Sequence, residues 1–146
     1  MSFFRNQDPK LQALKQVELF AGCSRARLVA LAAQMDEIVA GAGSVLVREG
    51  RPGHSFYVVI EGEAVATSNG QPIATFGPGG FFGEISMIDR DPAVATVTAT
   101  TDCTLMVLGH DQFRRALQAG PDLEVTVTRV MRERLHANAM AGLPGR

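Results

Sequence analysis

Between Met35 and Leu108 the chain is cut by turn residues into pieces too short for anything but strands, and this rhythm limits its fold more than any other feature. Strand-like pieces fall at Glu37–Ala40, Ser44–Arg48, Ser55–Ile60, Ala64–Thr67, Pro72–Phe76, Val94–Ala99 and Cys103–Leu108. In the third, Phe56, Val58 and Ile60 alternate with Tyr57 and Val59, the period-2 pattern of a strand. Ser68-Asn69-Gly70 separates the fourth from the fifth, and Asn-Gly is the strongest short hairpin signal. Many short strands with a turn roughly every eight to twelve residues predict a β-barrel or a double-sheet roll. No helical stretch long enough for a crossover lies between them, which argues against a doubly wound parallel sheet. The glycine run does not rescue that option. After Gly77 and Gly79 the third glycine of a dinucleotide fingerprint falls on Phe82.

Helical periodicity brackets this segment. Residues 8–20 read as a short helix, with Asp8 as cap, Pro9 in its first position and Leu11, Leu14 and Val17 on one face. Ser24 caps a second helix that carries Leu28, Leu31 and Ala32 and stops near Gln34. Asp111–Ala119 is a third, halted by Gly120. Pro121 opens a longer fourth, with Asp122 and Glu124 early and Arg132, Arg134 and His136 late, a distribution that suits the helix dipole. Its stripe of Leu123, Val127, Val130, Met131, Arg134 and Leu135 must cover something, either a second copy of the chain or its own domain. With 146 residues the expected organisation is a single domain over 1–137 and a flexible tail over 138–146.

Charge and composition exclude more than they assign. A net charge of −1 gives no general attraction to nucleic acid, and Glu133 interrupts the arginines of the last helix. Apolar runs are too short to span a membrane and the first residues lack a signal-peptide core, so the expected location is the cytoplasm. Cys23 and Cys103 match no metal spacing and read as reduced thiols, Cys103 in the core. His54, His110 and His136 are isolated, with surface or capping roles. No nucleophile–base arrangement can be assembled, so an enzyme is not expected.

Chemistry concentrates in Phe81-Phe82-Gly83-Glu84-Ile85-Ser86 and the segment that runs on to Val97. It follows a Gly77-Pro78-Gly79-Gly80 corner and reads as one turn of possible helix with Gly83 and Glu84 at its start. Free N–H groups at such a start can hold an anion, and an ionised Glu84 can accept hydroxyl hydrogen bonds. A first-turn dipole partner is the local alternative for Glu84, and a helix-turn hydroxyl for Ser86.

The order of motifs resembles the cyclic-nucleotide-binding domain family, over roughly Leu19 to Leu135. The carriers are Leu19-Phe20, Gly50-Arg51-Pro52-Gly53-His54-Ser55-Phe56-Tyr57-Val58-Val59, Ile60-Glu61-Gly62-Glu63, Phe81–Ser86 and Pro92-Ala93-Val94-Ala95-Thr96-Val97. The resemblance implies a mainly β fold with flanking helices, a β-jelly-roll (double-stranded β-helix) barrel between N-terminal and C-terminal α-helices. It also implies a pocket for the ribose-phosphate of cyclic AMP or cyclic GMP, formed by Phe82, Gly83, Glu84, Ile85 and Ser86 together with Arg90, Ala93, Val94, Ala95 and Thr96. Glu84 would accept the ribose 2′-hydroxyl, the N–H groups of Ile85 and Ser86 would face the phosphate, Gly83 would let the backbone come close, and Thr96 would lie near the base. The last helix would cover the base or form a dimer seam.

One position departs from the pattern. The family's cassette usually has an arginine after the proline matched by Pro92, and here it is Ala93. Alanine cannot supply the forked, charge-assisted hydrogen bond of a guanidinium. Arg90 is the nearest candidate substitute, with a solvated surface arginine as its plain alternative. Arg48 and Arg51 sit on other turns and could serve only if the fold brings them in. Two functions follow. The first is a stand-alone regulatory module that binds cyclic AMP, needs no other cofactor or metal, and shifts its last helix against a second copy or a separate effector protein. The alternative is a degenerate domain that binds no nucleotide and serves as an interaction or dimerisation platform. No helix-turn-helix follows residue 137, so no output domain is expected in the chain itself.

Overall fold

A computed structural model gives the architecture of residues 9–83 and 92–140. Helix α1, Pro9–Gln16, is followed by a single 3-10 turn at Glu18–Phe20 and by α2, Arg25–Gln34. The expected continuous helix to residue 20 is broken at Val17, which is extended at φ −76° and ψ 125°. The break lets Leu14, Val17, Leu19 and Phe20 all turn inward, where each is buried. Ser24 caps α2 as expected, accepting the Arg27 N–H at 3.1 Å. The expected cap Asp8 lies outside the described residues.

Eight strands follow: β1 Asp36–Ala40, β2 Val45–Val47, β3 Ser55–Glu61, β4 Ala64–Ser68, β5 Gln71–Phe76, β6 Phe81–Phe82, β7 Thr96–Ala99 and β8 Cys103–Gly109. They form two four-stranded antiparallel sheets, ordered β1-β8-β3-β6 and β2-β7-β4-β5. The result is a jelly-roll-like sandwich, the double-sheet form of the expected roll; among the described residues no ladder joins the sheets' edges into one cylinder. The β4–β5 hairpin turns at Asn69 and Gly70, both at positive φ (52° and 79°), as the Asn-Gly pair predicts.

Two cores meet across the first sheet. Phe56, Val58, Phe81, Met106 and Leu108 face the helices and pack with Leu11, Leu14, Leu28, Leu31, Phe113 and Val127. Val59, Phe82, Cys103 and Leu105 face the second sheet and meet Ala64, Ala66, Val97 and Ala99. Consecutive residues of a strand point to opposite faces, so β3 and β8 are buried on both sides. Helix α3, His110–Ala119, then packs Phe113 edge-on against Phe56, with ring centroids 5.1 Å apart.

Helix α4, Pro121–Met140, runs past the boundary expected at 137. Leu123, Val127 and Val130 are buried in the helical core, and Met131, Arg134 and Leu135 are half-buried. The stripe therefore packs on its own domain through Leu123, Val127 and Val130. Arg129 fixes the helix further by contacts to Glu18 (3.4 Å) and Glu133 (3.1 Å). Among the described residues no helix is long and apolar enough to cross a membrane, and none of their acidic, histidine or cysteine side chains gather into a group of three that could hold a metal.

Candidate functional site

The near end of the cassette is set by β6, which pairs with β3 through Tyr57↔Phe82 and Val58↔Phe81. Alternation sends Phe81 into the helical core and Phe82 into the inter-sheet core. The Phe82 ring stacks on Tyr57 at 4.9 Å and meets Phe76 at 5.1 Å. The Tyr57 hydroxyl donates to the Leu46 carbonyl at 3.3 Å, and burial raises its pKa, with a hydrogen bond to Ser55 opposing. Phe82 was expected to line the ligand. Its ring is buried in the inter-sheet core.

Gly83 ends the strand at φ +95°, and a Cβ there would collide with the Ser55 carbonyl oxygen. The position therefore requires glycine on account of β3 alone, before any ligand is considered.

The far end is held by the loop between β2 and β3. Pro92 bridges to Pro52, the Ala93 N–H donates to the Arg51 carbonyl at 2.9 Å, and the Ala93 carbonyl accepts from the Gly50 N–H at 2.8 Å. Two loop residues thus face the single residue Ala93, with Gly50 at φ +82°, the arrangement of a glycine bulge. The loop is itself tightened by the Arg51 N–H, which donates to the Arg48 carbonyl at 3.2 Å. Next in the chain, Val94 packs on the inter-sheet core and Ala95 is buried within it.

Thr96 is half-buried, and its Oγ1 accepts the Glu49 N–H at 3.0 Å. The Glu49 carboxylate turns to the β4–β5 hairpin. Its Oε1 accepts from the Asn69 N–H at 3.2 Å and its Oε2 from the Ser68 hydroxyl at 3.5 Å. Ser68 is a buried polar residue, so this contact satisfies a hydroxyl that would otherwise be costly. Thr96 is therefore part of a chain that ties the cassette's end, the β2–β3 loop and the hairpin tip into one unit.

The structure brings Phe82, Gly83, Ala93, Val94, Ala95 and Thr96 onto the sandwich at the two ends of this segment. Glu84, Ile85, Ser86 and Arg90, also expected at the site, lie outside the described residues. Of the alternative cations, Arg51 is joined to Ala93 by a direct backbone hydrogen bond, whereas among the described residues no such bond joins Arg48 to the cassette.

Arg134 on α4 was read only as part of a stripe and a dipole. Its Nη2 donates to the Phe81 carbonyl at 3.2 Å, and its guanidinium carbon lies 4.0 Å from the centre of the Phe81 ring. The final helix thus grips the residue two positions before Gly83. An arginine on an apolar stripe hints at such a contact, but its partner is 53 residues away in sequence.

A groove of about 790 Å³ opens beside the same loop between Pro52, His54 and the start of α3 at His110 and Asp111. It holds no cassette residue. His110 and Asp111, 3.6 Å apart, sit at the helix entry where they were expected. Cys103 is buried in the inter-sheet core and unpaired, as is the partly exposed Cys23, whose pKa is raised mainly by burial.

Residues 37–119 match the profile of the family described as Cyclic nucleotide-binding domain. The cAMP-dependent protein kinase regulatory subunit of Aspergillus niger is 35% identical over 112 residues, covering 75% of this chain and 27% of that protein. The regulatory domain of Toxoplasma gondii PKA, solved as a co-crystal with cAMP, is 30% identical at a TM-score of 0.70 and covers 79% of this chain and 46% of that one. The N-terminal domain of a transcriptional regulator from Streptomyces coelicolor A3(2) is 32% identical at 0.72, covering 88% of this chain and 93% of its own. The chain spans about a quarter of the length of the kinase regulatory subunits it matches.

Proposed function

The chain belongs to the cyclic nucleotide-binding domain family, and on that premise we propose that it is a regulatory module that binds cyclic AMP, with cyclic GMP the next candidate, and passes the event to its last helix. The family pattern gives Glu84 the ribose hydroxyl, the N–H groups of Ile85 and Ser86 the phosphate, and Thr96 the neighbourhood of the base. The observation that carries the reading is how the cassette is held. One end is gripped through Phe81 by Arg134 of α4, and the other is pinned through Ala93 to the loop at Gly50 and Arg51. A ligand seated between these ends acts on both. It biases α4 only by binding one position of that helix more tightly than another. The output then passes to a separate effector protein or a second copy of the chain.

Calorimetric titration with cyclic AMP and cyclic GMP tests the binding step. Saturable heat with one nucleotide per chain is expected. Absence of heat at millimolar nucleotide would sink the reading and leave the second one, an interaction platform without a ligand. The alanine at 93 is the specific feature that favours that second reading.

A further inference from the structure

We propose that Arg51 supplies the positive charge for the ligand's anionic group that residue 93 lacks, a proposal that rests on the nucleotide-binding reading above. Three observations carry it. The Ala93 N–H is bonded to the Arg51 carbonyl at 2.9 Å, so the two residues are cross-strand neighbours. Hydrogen-bonded neighbours of this kind stand about 5.5 Å apart at Cα. A side chain as long as arginine's spans that distance with its stem, and bulges of this kind commonly re-aim a side chain beside functional sites.

Secondly, Arg51 is exposed and its side chain makes no hydrogen bond or ion pair among the described residues. Fixing an arginine's backbone by bulge and turn while leaving its guanidinium uncommitted is what an anion site needs.

Thirdly, the acidic residue nearest in the loop does not neutralise it. Glu49 spends both carboxylate oxygens on Asn69 and Ser68 of the hairpin, away from the arginine two residues on. Among the described residues the loop thus presents beside Ala93 a guanidinium with no carboxylate paired to it, and a guanidinium gives an anionic oxygen the strong, forked kind of hydrogen bond.

The test compares cyclic AMP with adenosine, which lacks the phosphate, on the wild-type chain, Arg51→Ala, Arg51→Lys, Arg48→Ala and the double variant Arg51→Ala/Ala93→Arg. Arg51→Ala is expected to weaken cyclic AMP about 10- to 100-fold, as loss of a charge-assisted contact does. It is expected to leave adenosine affinity and the melting temperature unchanged. Arg51→Lys should fall between, and Ala93→Arg in the Arg51→Ala background should recover most of the loss. The affinity of Arg51→Ala should also depend less on salt than that of the wild type.

Wild-type affinity in Arg51→Ala overturns the proposal and leaves nucleotide binding standing. Equal losses for cyclic AMP and adenosine overturn it too, as does a loss that follows Arg48→Ala instead. A wild-type chain that binds no cyclic AMP fails the underlying reading and this proposal with it.

Discussion

Gly83 has no side chain to contribute, yet the structure constrains it more tightly than most residues around it. Its φ of +95° is strained for any other residue, and a Cβ would meet the Ser55 carbonyl of β3. Gly83→Ala is therefore expected to cost about 2 kcal/mol or more. In urea the unfolding midpoint should fall with little change in slope. The sequence shows that a glycine sits there; it does not show why, since the reason lies at Ser55, 28 residues earlier, and the resemblance suggests only close approach to a ligand. Tyr57, stacked on Phe82, makes a second prediction. Burial raises its folded pKa, so the unfolded chain loses the phenolic proton first. Stability contributed by the protonated ring is complete below the ordinary tyrosine range and is lost as pH rises through that range toward the folded value. Absorbance titration should show the phenolate forming later in the folded chain than after denaturation. Tyr57→Phe should lessen the alkaline loss of stability.

At the scale of elements, what was legible followed from period and turn chemistry. Alternation in Ser55–Ile60 predicts β3, Ser24 predicts the start of α2, and Asn69-Gly70 predicts the hairpin, because each signal is local. β6 has only two residues, too few to show a period, and is a strand only because β3 is beside it. The break at Val17 is a tertiary override, with apolar residues turned inward at the expense of helical continuity. Likewise the stripe on α4 is plain in the sequence while its partner is not. Either a second copy or the chain's own core could cover it, and the fold chooses the core. The Arg134–Phe81 grip is the element-scale link between cassette and helix. Arg134→Ala removes a hydrogen bond and a cation–π contact worth about 1–2 kcal/mol together. Amide protection in α4 is then expected to fall roughly 5- to 30-fold while β3 and β8 keep theirs. Equal loss in strands and helix would mean that the contact supports the whole fold and not the helix alone.

At the scale of the whole molecule, the two sheets and four α-helices among the described residues place the cassette's described ends on separate supports, the β2–β3 loop and the C-terminal helix. The ligand reading rests on that division of anchors together with the family's pattern, and Ala93 is where the sequence departs from that pattern. The sequence makes the departure visible. Only the fold shows that Arg51 is bonded to Ala93, because the two are joined by pairing between distant segments. The central claim is that cyclic AMP binds and that α4 responds, and hydrogen exchange of the backbone amides with and without saturating cyclic AMP reads both at once. The expected result is slowed exchange around Gly50–Arg51 and Phe81–Gly83, together with changed protection along α4. Identical exchange at every amide with millimolar cyclic AMP present would contradict the account.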